Sequence, residues 1–294
     1  MKNILLTIIF CCITIAAFSQ GQKFNISVGS GLFSEDFNWS IAGNLDGKAP
    51  NILSELLWRN LKGPQYSVSA DYDLTPKIAV NADFLYGKIN SGAANDADYL
   101  EDNRQESVFD ETFISNKGHF QHLSVNLVLK KELSDHLILD ALIGYDNLVQ
   151  ELYLLEDANN PVTEGLNSYY KNNWNGLQLG LNLKYRISKF SISGKIRSGY
   201  YKYYASANWN LIPDFKKPIS FEQKALAYKY SGSLQLAYSV TRHLEVNGAL
   251  NMTYGASFAG KDYAYFTDDT TAVTKFNGAE LKSRYAQLGL SLIF

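Results

Sequence analysis

LQLAYSVTRHLEVNGALNMTY, residues 234–254, is two stretches of strict alternation joined by a tight polar turn. Leu234, Leu236, Tyr238 and Val240 share one face, and Leu244, Val246, Leu250, Met252 and Tyr254 share the next. Opposite the second face stand Glu245, Asn247, Asn251 and Thr253. A period of two residues is that of a β-strand, and a connection as short as Val240-Thr241-Arg242 joins antiparallel neighbours. Strands that are apolar on one face and polar on the other, with an aromatic near one end, are the signature of a transmembrane barrel.

The pattern recurs along the chain. Ile78, Val80, Ala82, Phe84 and Tyr86 form one apolar face, and Leu123, Val125, Leu127 and Leu129 another. Leu137, Leu139, Ala141, Ile143 and Tyr145 follow, then Leu177, Leu179, Leu181, Leu183 and Tyr185. Short connections fall at Leu74-Thr75-Pro76, Lys131 to Asp135, Arg186 to Lys189, and Val240 to Arg242. Long polar ones fall at about 33–50, 90–117, 154–168, 207–221 and 258–279. Short and long alternate as periplasmic turns and extracellular loops do, which predicts ten antiparallel strands with both ends periplasmic. A soluble sandwich or lipocalin-like barrel has no reason for such alternation.

Both ends of the sequence fit export. Residues 1–20 read as a signal peptide: Lys2 supplies the charge, Ile4 to Ala17 the apolar run, and Ala17-Phe-Ser-Gln20 a polar-ending close. The run is too short to span a bilayer as a helix. Cys11 and Cys12 lie inside it without the small residues of a lipoprotein cleavage site, so the barrel domain, 21–294, carries no cysteine. Disulfides and thiol chemistry are thereby excluded. Leu288, Leu290, Leu292 and Phe294 share the outward face of the last strand, similar to the signal read by the barrel-assembly machinery. Twenty Tyr against four Trp suit interfacial girdles. A net charge of −2 gives no reason to expect nucleic acid.

Strand parity turns Asp71, Asp83, Asp140, Asp146 and Glu245 into the lumen with Lys184, Lys195 and Arg197, and sets His122 beside Asp146. Buried charges need partners or water, so a cross-lumen network or a narrow polar channel is expected. Lys282 and Arg284 face outward. Arg284 is ten residues from the periplasmic end, so at about 2.5 Å of height per tilted residue both are expected at the outer headgroup level, either against lipopolysaccharide phosphates or snorkelling without specific lipid contact.

Several stretches resemble the Protochlamydia outer membrane protein family. They are Trp39-Ser-Ile-Ala-Gly-Asn44; Pro50-Asn-Ile-Leu-Ser-Glu-Leu56 with Trp58; Gly87 with Ser91-Gly92, Asp96-Ala-Asp98-Tyr99 and Asp102-Asn103-Arg104; and Gly165-Leu-Asn-Ser-Tyr169 with Trp174-Asn-Gly176. The resemblance runs from about residue 29 to the end, its motifs dense in the first half, and implies an omptin-like barrel with a porin-like assignment. Omptins activate a water between an Asp pair on the second loop and an Asp-x-His pair on the fourth. Asp96 and Asp98 are similar to the first pair. The fourth loop, Tyr204 to Pro213, has no His, and its nearest acid is Asp214.

Asp96, Asp98, Glu101 and Asp102 are dense enough to suggest a calcium site, but lack an EF-hand's glycine. A structural loop in which Asp98 or Asp102 pairs with Arg104, next to Asn103, is the preferred reading, with no cofactor and no catalytic set. The expected protein is a non-enzymatic outer-membrane barrel, either a narrow porin-like channel or a structural, lipopolysaccharide-contacting one. An omptin-like protease with an incomplete site, or an adhesin or ligand-binding barrel acting through its long loops, are the alternatives.

Overall fold

Thr75 and Thr241 turn the chain at the same end of the molecule, each hydroxyl oxygen accepting backbone N–H bonds from two and three residues on. The computed structural model describes residues 24–294, so the expected signal peptide, 1–20, lies outside the described residues. The strands are β1 (Phe24–Ile41), β2 (Ser54–Thr75), β3 (Ile78–Lys88), β4 (Ser91–Glu101), β5 (Gln105–Ile114), β6 (Gly118–Ser134) and β7 (Leu137–Leu155). Then come β8 (Asn167–Ile187), β9 (Phe190–Asn208), β10 (Phe221–Ser239), β11 (Leu244–Ser257), β12 (Gly260–Tyr265) and β13 (Thr271–Ile293).

β1 pairs with both β2 and β13, which closes the antiparallel sheet into a barrel. Thirteen hydrogen-bonded strands replace the expected ten because three spanning runs are interrupted. β3 and β4 share β2 as a neighbour, β5 and β6 share β7, and β11 and β12 share both β10 and β13. Merging those pairs leaves ten continuous runs. One interruption needs glycine: Gly118 has φ +128°, and a Cβ there would lie 2.2 Å from the Glu151 carbonyl oxygen.

The walls are taller than a membrane. β13 has 23 residues, so at about 2.5 Å of height each it rises roughly 57 Å, about twice the apolar band of an outer-membrane barrel. In the lower half apolar residues point outward, Leu177 being 66 % and Leu288 75 % exposed. In the upper half the polarity reverses: Phe37, Trp39, Leu56, Trp58, Leu152 and Leu154 point inward and are buried, while Asp36 and Lys202 face out. The change on β1 falls between Leu32 and Asp36. Below that level the wall faces lipid; above it the wall faces water, and the apolar core moves inside.

That reversal corrects the expected loops. Much of 33–50, 90–117, 154–168, 207–221 and 258–279 is strand, and the connections shrink to 42–53, 102–104, 156–166, 209–220 and 266–270, with a short break at 258–259. Polar composition there marks a water-facing wall.

Candidate functional site

The lower lumen holds a cavity of about 770 Å³. Lys189 and Arg242, at the periplasmic turns, line its mouth, and Glu35, Phe120, Leu148 and Leu281 line its top. On its walls Arg197 Nη2 donates to Asp83 Oδ2 at 2.8 Å, and the Ser69 hydroxyl donates to the other oxygen. Asn81 donates to both Asp71 and Asp83, and Asn182 donates to Asp140 at 2.9 Å. Glu245 accepts from Ser239, and Lys195 and Lys184 line the same space. Higher up, Asp146 is fully buried, with His122 Nε2 2.6 Å from Oδ1 and Lys229 Nζ 2.6 Å from Oδ2. Lys229 also lies 4.8 Å from the centre of the Tyr201 ring.

Above the cavity the lumen is filled by rings. Trp58 lies 5.7 Å from Phe37 and 5.4 Å from Tyr170, which stacks on Trp39 at 5.7 Å. Trp174 meets Tyr203 edge-on at 4.9 Å, and Tyr203 stacks on Phe276. Phe37, Trp58, Tyr170, Trp174 and Phe276 have no solvent exposure. A directed chain of bonds ties the layer together. Tyr170 donates its single proton to Gln223 Oε1 at 2.7 Å, so the 2.5 Å contact between the phenol oxygens takes its proton from Tyr203. Gln223 Nε2 then donates to Asp262 Oδ1 at 3.0 Å. Burial on β12 pushes the Asp262 carboxyl up to about 7.

Asp96 and Asp98 lie on β4, above the membrane level, opposite Leu56 and Ser54 on the inward face of the wall. Trp209, from the fourth extracellular connection, hydrogen-bonds Asp96 across the mouth. Burial and the charge of Asp98 push Asp96 up to about 8 against that bond, and burial also raises Asp98 against a bond from Ser54. The other members of the expected loop cluster are elsewhere. Asp102 and Asn103 sit at the exposed tip, where Asp102 Oδ1 accepts the Asn51 N–H at 2.7 Å and Asn103 trades bonds with the Asn51 side chain. Arg104 pairs with neither Asp98 nor Asp102, because Glu55 offers a nearly buried carboxylate and takes both guanidinium bonds, at 2.7 and 2.8 Å.

The carboxylate pair and the histidine stay apart. Asp96 is opposite Leu56, whereas His122 is opposite Leu85, which pairs with Ser67. The two levels differ by about 11 residues of β2, roughly 36 Å of strand. The ring layer lies between them. Among the described residues no group of three or more His, Cys, Asp or Glu side chains could hold a metal ion.

Outside, Arg284 pairs in register with Ser34, and Ser34 with Lys62, so both cations flank one row of the wall. Lys282, opposite Asp36, pairs with Glu280 at 2.6 Å.

Sequence reading missed the ring layer, Lys229, Glu55 and Trp209. Lys229 was within reach: it has the opposite parity to Leu234 and Leu236, which places it inward. Glu55 and Trp209 gave no signal, since their partners come from distant segments.

The chain matches the Protochlamydia outer membrane protein family over residues 27–294. No curated protein matches it. Its fold is similar to that of the outer membrane protease OmpT from Escherichia coli, with a TM-score of 0.74 at 15% identity, covering 92% of this chain and 97% of that one. Weaker likenesses are OprG from Pseudomonas aeruginosa (TM-score 0.37, 13% identity, 92% and 95% covered) and a major outer membrane protein from Thermus thermophilus (0.40, 14%, 94% and 100%). At these identities the likeness is one of fold. The chain is an outer-membrane β-barrel protein and belongs to the Protochlamydia outer membrane protein family.

Proposed function

We propose that this protein is a sealed, non-enzymatic outer-membrane barrel, anchored by outward cations against lipopolysaccharide and not conducting through its lumen. The observation that carries the reading is the ring layer above the cavity. Five fully buried aromatic side chains fill the lumen above the 770 Å³ space, whose other end is lined by Lys189 and Arg242 of the periplasmic turns. Beneath the rings Asp83 is paired with Arg197 and Asp146 with Lys229, as in a stiffening network. Arg284 and Lys62, on the row just above the apolar band, supply the phosphate-facing charge, and Lys282 adds to it. The N-terminal 1–20 segment directs export, and the barrel-assembly machinery inserts the product.

Planar-bilayer recording of the purified protein tests this. The wild type stays silent, and Trp58→Ala with Tyr170→Ala opens discrete steps. Steps from the wild type would remove the sealed reading.

One observation favours a second reading, an omptin-like hydrolase. Asp96 and Asp98 stand together on β4 at an extracellular mouth, burial raises both carboxyls, Asp96 up to about 8, and a carboxyl that holds its proton near neutral pH can act as the acid in hydrolysis. Peptide cleavage abolished by Asp98→Asn would establish it. The sealed-barrel reading expects no fragments.

A further inference from the structure

β5 has an unpaired edge. From Gln105 to Phe113 its backbone is paired along one side only, with β4, and it meets β7 at the single pair Ile114–Leu155, where β7 ends. The first eight residues of β5 are exposed, with Val108 at 58 % and Phe109 at 38 %. Among the described residues the other spanning runs are paired on both sides over most of their length. An edge of this length offers a row of unmet N–H and C=O groups, the template for adding a strand.

The edge is held in place. At the tip Arg104 grips Glu55, and Tyr99 donates to the same carboxylate at 3.0 Å. Asn51 binds the backbone and side chain of Asn103 and is held by Asp102. A hairpin fastened at its far end presents its edge without first having to be ordered, which lowers the cost of association.

Charge identifies the occupant. Glu106, Asp110 and Glu111 lie on the strand, and no Lys or Arg falls between 105 and 116. The next cation, Lys117, is engaged by Asn167 and the Tyr153 ring. A second copy laid edge to edge would set acids against acids, which opposes pairing. A strand carrying Lys or Arg at alternate positions sets opposite charge beside Asp110 on one face of β5, and its apolar residues meet the stacked Phe109 and Phe113 rings on the other. We propose that β5 docks an extended, basic polypeptide segment, which joins the β4–β5 hairpin as an added strand. This stands whether or not the lumen conducts.

The test uses the full barrel in nanodiscs and a fluorescent peptide of alternating Lys and Val, read by anisotropy. Saturable binding that weakens with salt is expected. Two further peptides carry N-methyl groups on alternate amides, one in each phase. Strand addition predicts that one phase abolishes binding and the other is tolerated, because only one edge of the peptide bonds to β5. Equal binding of both would reduce the effect to general charge attraction and overturn the proposal, as would no binding at all. The triple change Glu106→Lys, Asp110→Lys, Glu111→Lys should lose the basic peptide and gain one of alternating Glu and Val. Self-association of the wild type that this variant alters would assign the edge to a second copy instead.

Discussion

Arg104 holds Glu55 with two hydrogen bonds, 2.7 and 2.8 Å long, across 49 positions of sequence. The pair fastens the tip of the β4–β5 hairpin to the outer side of β2. Arg104 is half exposed whereas Glu55 is nearly buried, so its partners matter most to Glu55. Arg104→Ala strips a buried carboxylate of its best donor and should loosen the hairpin locally by about 1–3 kcal/mol. Limited proteolysis should then cut within 105–113 several-fold faster, while the remaining barrel resists.

The lumenal pair Asp146 and Lys229 behaves differently. Asp146 and Lys229 are both buried, and Asp146 also holds His122. Asp146→Asn leaves the Lys229 charge uncompensated and should destabilise the barrel by about 3–5 kcal/mol. Adding Lys229→Met should recover most of that loss. Thermal unfolding in detergent of the two single variants and the double variant measures the coupling.

A third prediction concerns the rings. Trp58 is fully buried and packs on Phe37 and Tyr170, so Trp58→Ala opens a void and should cost about 3–5 kcal/mol. Tyr170→Phe keeps the ring and removes one link of the chain from Tyr203 to Asp262, at about 1 kcal/mol. Melting temperatures should rank the variants in that order.

pH should act through Asp96. An unfolded aspartate loses its proton near pH 4, whereas folded Asp96 holds it up to about 8. The folded hairpin therefore binds the extra proton between those values, and its stability falls as pH rises through that window. Trp209, bonded to Asp96, reports the change. Its fluorescence should titrate with a midpoint near 8, and Asp96→Asn should abolish the transition.

The fold was legible wherever lipid meets the wall, because leucines on alternate residues such as 177, 179, 181 and 183 have a single reading. The upper barrel was not, because Asn, Asp and Gly in 90–117 read as loop although β4 and β5 pair through them. Apolar residues continue the alternation there with inverted parity: Leu32 points out, and Phe33, Phe37 and Trp39 point in. In the lumen, parity alone put His122 and Asp146 on the inward face of adjacent strands, where Asp146 stands opposite Ser124 and His122 one diagonal step away. Lys229 reaches Asp146 from 83 positions away, and no local pattern encodes that distance.

The inward-to-outward reversal on β1 works as a waterline. A barrel greasy along its whole height could ride up or down in the bilayer at small cost. Here a rise of a few residues lifts Leu32 and Leu288 into water, and a fall carries Asp36 and Lys282 into hydrocarbon. Both displacements are opposed, so the depth of immersion is written into the wall itself. The height at which the mouth and the β5 edge stand above the cell surface follows from it.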